Sequence, residues 1–169
     1  MSTPVEVVDY DPTWPRTFEK IRATIAACLA GLTSRIEHVG STAVPGLAAK
    51  PIVDVDVLLD TNDVMPDAIA RLSHLGYRHE GNLGIPGREA FSAPADMPHH
   101  HLYVCPPGSE EFGRHIAFRN YLRSHPVAAG EYAALKQALA SQVRYDRKAY
   151  TNGKHAFVRD VLSRAKENR

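Results

Sequence analysis

Apolar and polar positions alternate and recur along the chain in a way that separates a strand-bearing part from a helical one. Phe18, Ile21, Ile25 and Leu29 return every three or four positions, the spacing of one helix face. Turn chemistry in "DPTWP" opens that stretch and Gly31 closes it, so a helix is expected within residues 11–32. "VEVVDY" (5–10) and "SRIEHV" (34–39) carry strand patterns. "PIVDVDVLL" (51–59) is β-branched and nearly continuous, which predicts an interior strand. "MPDAIARLSHLG" (65–76) reads as a helix with Gly76 as its C-cap. "GNLGIPGR" (81–88) reads as a loop, and "EAFSA" and "HHLYVC" as two further short strands. From Ser109 the pattern is helical, broken at Pro126 and around Asn152-Gly153. The expected fold class is α+β: a mixed β-sheet flanked by helices, with a helical C-terminal third.

Length and composition narrow the class. With 169 residues the chain reads as one domain, about 1–108 forming a sheet-containing core and about 109–169 a helical part. Twenty basic against nineteen acidic residues give a formal net charge of +1, so no general nucleic-acid or membrane attraction is implied. Cys28 and Cys105 make no disulfide framework and have no partners at metal-site spacing. The chain shows no signal-like start and no apolar run near 18 residues, so a cytoplasmic location is expected.

The chemistry starts at "HVGSTAVPGLAAKPIVDVDVLL", residues 38–59. Alternation along a strand puts Asp54 and Asp56 side by side on one face, with Val53, Val55 and Val57 on the other. Two neighbouring carboxylates stay ionised together most easily with a cation between them, and carboxylate oxygens suit Mg²⁺, with Mn²⁺ as a substitute. Upstream, Gly40, Ser41 and Thr42 form a strand-to-helix turn that offers backbone N–H groups and hydroxyls to a phosphate. A lone D-x-D or Gly-Ser is common. The two in this order, each tied to an apolar strand, point to metal-assisted attack on a nucleoside triphosphate.

The G-S-x12-D-x-D arrangement resembles the signature of the nucleotidyltransferase superfamily, with its polymerase-β-like fold. Over almost its full length the chain also resembles the GrpB-like (UPF0157) family of predicted nucleotidyltransferases. The matching pieces are "YDPTWPRTFEKI", "IEHVGSTAVPGLAAKPIVDVDV", "GIPGR", "HHLYV", "FRNYLRSHP", "EYAALK" and "YTNGKHAFV". The resemblance implies a nucleotidyltransferase-like sheet, with Gly40-Ser41 on a triphosphate and Asp54 and Asp56 on Mg²⁺. Related domains are joined to dephospho-CoA kinases in some bacteria, where an accessory role has been proposed.

Active members of the superfamily place a third carboxylate on a later strand. The later strands here offer Glu89 and a run of histidines instead. Alternation in "HHHLYV" sets His99 and His101 on one face and His100 on the other, so His101 is the candidate metal ligand or base in that position. Lys50, just before the aspartate strand, and Arg88, leaving a Gly-rich loop, are candidates for phosphate. Glu37 and His38 flank the Gly-Ser turn. Arg119 with Arg123, Tyr132 with Lys136, and Tyr150 with Lys154 each fall on one helix face; such pairs ordinarily form a solvated surface, but Lys136 and Lys154 join the nucleotide-binding candidates. Trp14 reads as a packing anchor.

Three functional classes compete. The first is a Mg²⁺-dependent enzyme moving a nucleotidyl group from an NTP to a small-molecule acceptor. The second is a nucleotide-binding or accessory module that has lost turnover, with a protein partner. The third, a metal hydrolase built on the histidines, lacks the helical spacing of the zinc-protease motif.

Overall fold

The computed structural model describes residues 3–168. The periodic segment forms helix α1, Trp14–Cys28. Asp11 starts it by accepting hydrogen bonds from the Thr13 amide at 2.8 Å and hydroxyl at 2.7 Å. Pro15 occupies the first turn, where its missing N–H costs no helical bond. Strand β1 (Thr33–Val39) and strand β2 (Val53–Leu59) follow, joined through a 3-10 turn at Ser41–Ala43. Helix α2 (Met65–Leu75) ends on Gly76, whose φ of 105° is the left-handed cap expected there. Strands β3 (Arg78–Gly81), β4 (Glu89–Ser92) and β5 (His100–Cys105) complete the sheet. Helices α3 (Glu110–Ser124), α4 (Pro126–Gln142), α5 (Arg147–Gly153) and α6 (His155–Glu167) make up the remainder.

The five strands run in the order β1-β2-β5-β4-β3. Only β2 and β5 are parallel neighbours; the other pairs are antiparallel. The continuous apolar strand is thus interior, as its composition requires. Its Val53, Val55 and Val57 enter a core with Phe18, Ile21 and Ile25 of α1 and Leu72 of α2. Each such side chain contributes about 1.5–3 kcal/mol by leaving water. A second apolar cluster joins Val44 and Leu47 after the Gly-Ser turn to Tyr121, Leu122, Tyr132 and Val161 of the helical part. The two clusters lie on opposite sides of β2, and the aspartates point to the helical side.

Two expected elements differ. Residues 5–10 do not form a strand: Val8 makes one isolated antiparallel bridge to Ala49, and the Val5 amide donates to Arg144 O at 2.6 Å. A strand needs a partner edge, and this segment instead ties the loop before β2 to the helical part. The predicted loop at 81–88 is shortened by β3, whose "RHEG" has no apolar alternation to announce it. The break between α4 and α5 was likewise unmarked; there Asp146 caps α5 by accepting from the Ala149 amide at 2.9 Å.

Candidate functional site

The parallel pairing of β2 with β5 sets Asp54 opposite His101 and Asp56 opposite Tyr103. All four side chains share the face away from the α1 core. His101 Nδ1 stands 2.9 Å from Asp54 Oδ1, so its N–H donates to the carboxylate and Nε2 is left free. His100 turns the other way, into the core. Its Nδ1–H donates to Pro98 O at 2.6 Å and its Nε2 accepts from the Tyr77 hydroxyl at 2.6 Å. This histidine is a structural one, and burial holds its pKa down.

Gly40 sits at φ 75°, a left-handed conformation that favours glycine. A Cβ there would run into Asp54, 3.1 Å from its Cγ and closer still to Oδ2. The close approach that this glycine permits is therefore to the aspartate carboxylate, rather than only to an incoming phosphate. Beside it, His38 Nε2 lies 2.8 Å from Thr42 Oγ1, and the His38 ring stacks on Phe18. Burial lowers the His38 pKa to about 4, which keeps it neutral.

A cavity of about 190 Å³ opens next to Asp54. Ser41, Thr42, Lys50, Asp54, His101, Lys136 and Lys154 all line it, with Tyr150. Seven residues singled out from sequence are thus brought to one place. The helical lysines are not a wet surface. Lys136 is 2% exposed and donates to Ala48 O. Its pKa falls to about 7, through burial first and then the charges of Lys154 and Lys50. Burial and Lys50 bring Lys154 down to about 8, although Asp54 opposes the shift. Burial also lowers Lys50, again against Asp54. The Lys50 and Lys154 ammonium groups lie 5.2 and 4.4 Å from the centre of the Tyr150 ring. Three lysines share one small cavity with one carboxylate, an arrangement in which a polyanion would favour their charged forms.

Asp56 and Arg88 sit elsewhere. Asp56 is fully buried and does not line the cavity. Its Oδ2 is 2.7 Å from Nδ1 of His115 on α3, whose Nε2 is 2.9 Å from Glu111 Oε1. Both ring nitrogens face carboxylate oxygens, the arrangement in which an imidazolium donates to each of two carboxylates. Burial opposes that charge, but the bonds to Asp56 and Glu111 outweigh it and push the His115 pKa up to about 10. For Asp56 the balance differs: burial raises its pKa against the pull of His115. Asp56 Oδ1 is buried with no hydrogen-bond partner, a lone pair that a cation would satisfy. Arg88 lies over the Tyr103 ring at 4.5 Å, outside the cavity lining.

His115 was not singled out from sequence. Its Glu111–His115 spacing on one helix was the available signal, but the decisive partner is 59 residues away. Arg119 and Arg123, expected on a solvated face, instead fasten α3 to the turn. Arg119 is 8% exposed and donates to Glu37 Oε2 at 2.7 Å and His38 O at 3.0 Å. Arg123 donates to Ala43 O at 2.8 Å. Among the described residues no group of three or more His, Cys, Asp or Glu side chains is placed to hold a metal ion by itself. Nor is any described helix long and apolar enough to cross a membrane.

The sheet order, the Gly-Ser turn and the paired aspartates define a nucleotidyltransferase-type fold. Solved structures agree at that level. The GLD-2/RNP-8 complex superposes with a TM-score of 0.61 at 12% identity, over 92% of this chain and 60% of that one. Cid1 poly(U) polymerase with Mg 3′-dATP bound gives 0.53 at 13% identity, over 79% and 43%. Within that fold the chain belongs to the GrpB family, whose model, described as GrpB protein, matches residues 4–164.

Conserved protein GrpB from Enterococcus faecalis has a crystal structure that matches with a TM-score of 0.87 at 32% identity, covering 96% of this chain and 98% of that one. Glutamate-rich protein GrpB of Alkalihalophilus pseudofirmus is 33% identical over 164 residues, 94% of each chain. UPF0157 protein YqkA of Bacillus subtilis is 32% identical over 162 residues; this chain spans about half of its length (47%). A dephospho-CoA kinase of Mycolicibacterium paratuberculosis matches at 25% identity, over 96% of this chain and 46% of its own length.

Proposed function

We propose that the protein binds a nucleoside triphosphate in the lysine-lined cavity and transfers its nucleotidyl group to a small acceptor. The observation that carries this reading is the convergence of Lys50, Lys136 and Lys154 on a cavity whose wall includes Asp54 and the Ser41 turn. In it, the three ammonium groups neutralise the triphosphate, and Ser41 and Thr42 at the turn hold a phosphate oxygen. Asp54 and the unpartnered Oδ1 of Asp56 are the groups that would hold Mg²⁺. When bound, that ion supplies charge neutralisation at the phosphates.

His101 keeps its Nδ1–H on Asp54, so Nε2 can take the proton of the attacking hydroxyl. The acceptor oxygen forms a bond to the α-phosphorus, the bond from that phosphorus to the bridging oxygen breaks, and pyrophosphate leaves. The test is calorimetric titration of ATP, GTP, CTP and UTP, each with and without Mg²⁺, against the wild type and Asp54→Ala. Mg²⁺-dependent binding that disappears in Asp54→Ala is expected. No binding of any triphosphate overturns the reading.

One observation favours a second reading, a module that binds a nucleotide without turning it over. Asp56 is sealed under His115, and no third carboxylate stands on β5. The match to part of a dephospho-CoA kinase fits such an accessory role. A partner function that survives in both Asp54→Ala and Asp56→Ala would select it.

A further inference from the structure

The face that carries Asp54 and His101 does not end at β5. The register continues one row across three strands: Asp54 on β2, His101 on β5, then Ser92 on β4. The next row runs Asp56, Tyr103, Ala90. On the β4 side of His101 lies a second cavity of about 330 Å³, and His101 lines both. A single imidazole is thus the partition between two chambers.

The chambers differ in charge. The first holds three lysines; the second is lined by no lysine or arginine. Its one carboxylate, Glu80, already accepts from Ser92 Oγ at 2.5 Å and from the exposed Arg78 at 2.7 Å. The rest of its wall mixes the apolar Ala90, Phe91 and Ala93 with Ser92, Tyr103 and three histidines, so it offers both apolar contact and uncharged hydrogen-bonding groups. Over it stands Leu83, which is 61% exposed and the one described non-glycine residue at positive φ, 52°. An occupant of the cavity would cover part of that side chain.

We propose that this second cavity is the acceptor subsite, and that it takes a small uncharged hydroxyl compound with an apolar or sugar-like body. The inference rests on the nucleotide reading of the neighbouring cavity. An anionic acceptor finds no lysine or arginine in the lining of the second chamber and is drawn instead to the lysines of the first. A neutral one gives up less hydration than an anion, can lay its apolar surface against Tyr103 and Leu83 and its polar groups against Ser92 and the histidines, and can approach His101, which lines both cavities.

The test is a set of amide and histidine chemical-shift titrations on the full chain. The probes are methyl glucoside and 2-phenylethanol as neutral alcohols, and glucose 6-phosphate as the anion. At least one neutral probe is expected to move Ala90, Ser92, His99 and His101, and to do so at least threefold more weakly in Leu83→Asp, a substitution at an exposed loop position. Glucose 6-phosphate is expected to move Ser41, Lys50 and Lys154 instead. Either of two results overturns the subsite: no neutral probe shifting those four residues, or the anion shifting them as readily as the alcohols. MgATP added to the same samples separates the two readings. If ATP moves the lysine cavity while no alcohol moves the second, only the acceptor assignment fails. If alcohols bind and ATP does not, the nucleotide reading fails and the cavity stands as a site for neutral ligands.

Discussion

His101 and Asp54 meet across the one parallel pair in the sheet, Nδ1 to Oδ1 at 2.9 Å, with each residue directly opposite the other in register. The contact fixes the tautomer of the imidazole and the rotamer of the carboxylate together. His101→Ala frees Asp54 to turn away from the cavity. A five- to tenfold loss of MgATP affinity is expected, about 1–1.4 kcal/mol, the scale of an ordinary hydrogen bond. His101→Asn, which keeps a donor, recovers part of it. Calorimetric titration of the three proteins checks this.

Gly40 and Gly31 make a controlled pair. Both have positive φ, 75° and 81°, but a Cβ at Gly31 meets nothing within 4 Å while one at Gly40 meets the Asp54 carboxylate. Gly31→Ala should cost about 1 kcal/mol from the backbone alone. Gly40→Ala should cost at least twice that, and should also weaken MgATP binding because Asp54 must move. Urea unfolding of both variants separates backbone strain from displacement.

The lysine cavity makes binding pH-dependent in a stated direction. Lys136 and Lys154 lose protons near pH 7 and 8, so affinity for a triphosphate falls as pH rises from about 6.5 to 9. At pH 8 binding draws protons in, because the anion favours the charged amines; titration in buffers of different ionisation enthalpy reads the uptake. Stability of the free protein moves the other way. The folded state holds these pKa values below the usual 10.5, so the unfolded chain binds more protons between about pH 7 and 10.5. The penalty is full below pH 7 and fades as pH climbs. Lys136→Met should therefore fold at least as well as the wild type at pH 6.5 while losing tenfold or more in ATP affinity.

His115 is expected to be the costliest single loss in the site. His115→Ala leaves Asp56 buried with neither oxygen paired, worth about 3–5 kcal/mol by analogy with broken buried pairs. The folded His115 pKa, about 10, lies above the unfolded 6.5. Its stabilisation is thus complete below pH 6.5 and lost as pH rises through 10. The gap between wild-type and variant urea midpoints should narrow over that window.

How much of this was legible depends on sequence distance. The i, i+2 spacing of Asp54 and Asp56 and the alternation of His99, His100 and His101 fix which way each side chain points, and the structure follows both. Neither pattern says that β5 lies beside β2 rather than at an edge; that pairing is seen only in the fold. His115 escaped because its defining contact is with a strand 59 residues earlier. The 5–10 segment failed for a related reason: alternation reports a strand's faces but cannot supply the edge it must pair with. Lys136 and Lys154 were candidates from the sequence, but periodicity records which residues share a face and not what the face is pressed against, so their placement over the sheet was not legible.

That cavity lies on a seam. Ser41, Lys50, Asp54 and His101 come from the sheet layer, while Lys136, Tyr150 and Lys154 come from the helices laid over it. The seam gathers three lysines whose amines disfavour one another's charge, and a buried Tyr150 hydroxyl with no partner. A polyanion seated there is mortar between the two layers. On the proposed function the helices would be held to the sheet partly by the bound triphosphate, and occupancy would act as a clamp between the two layers.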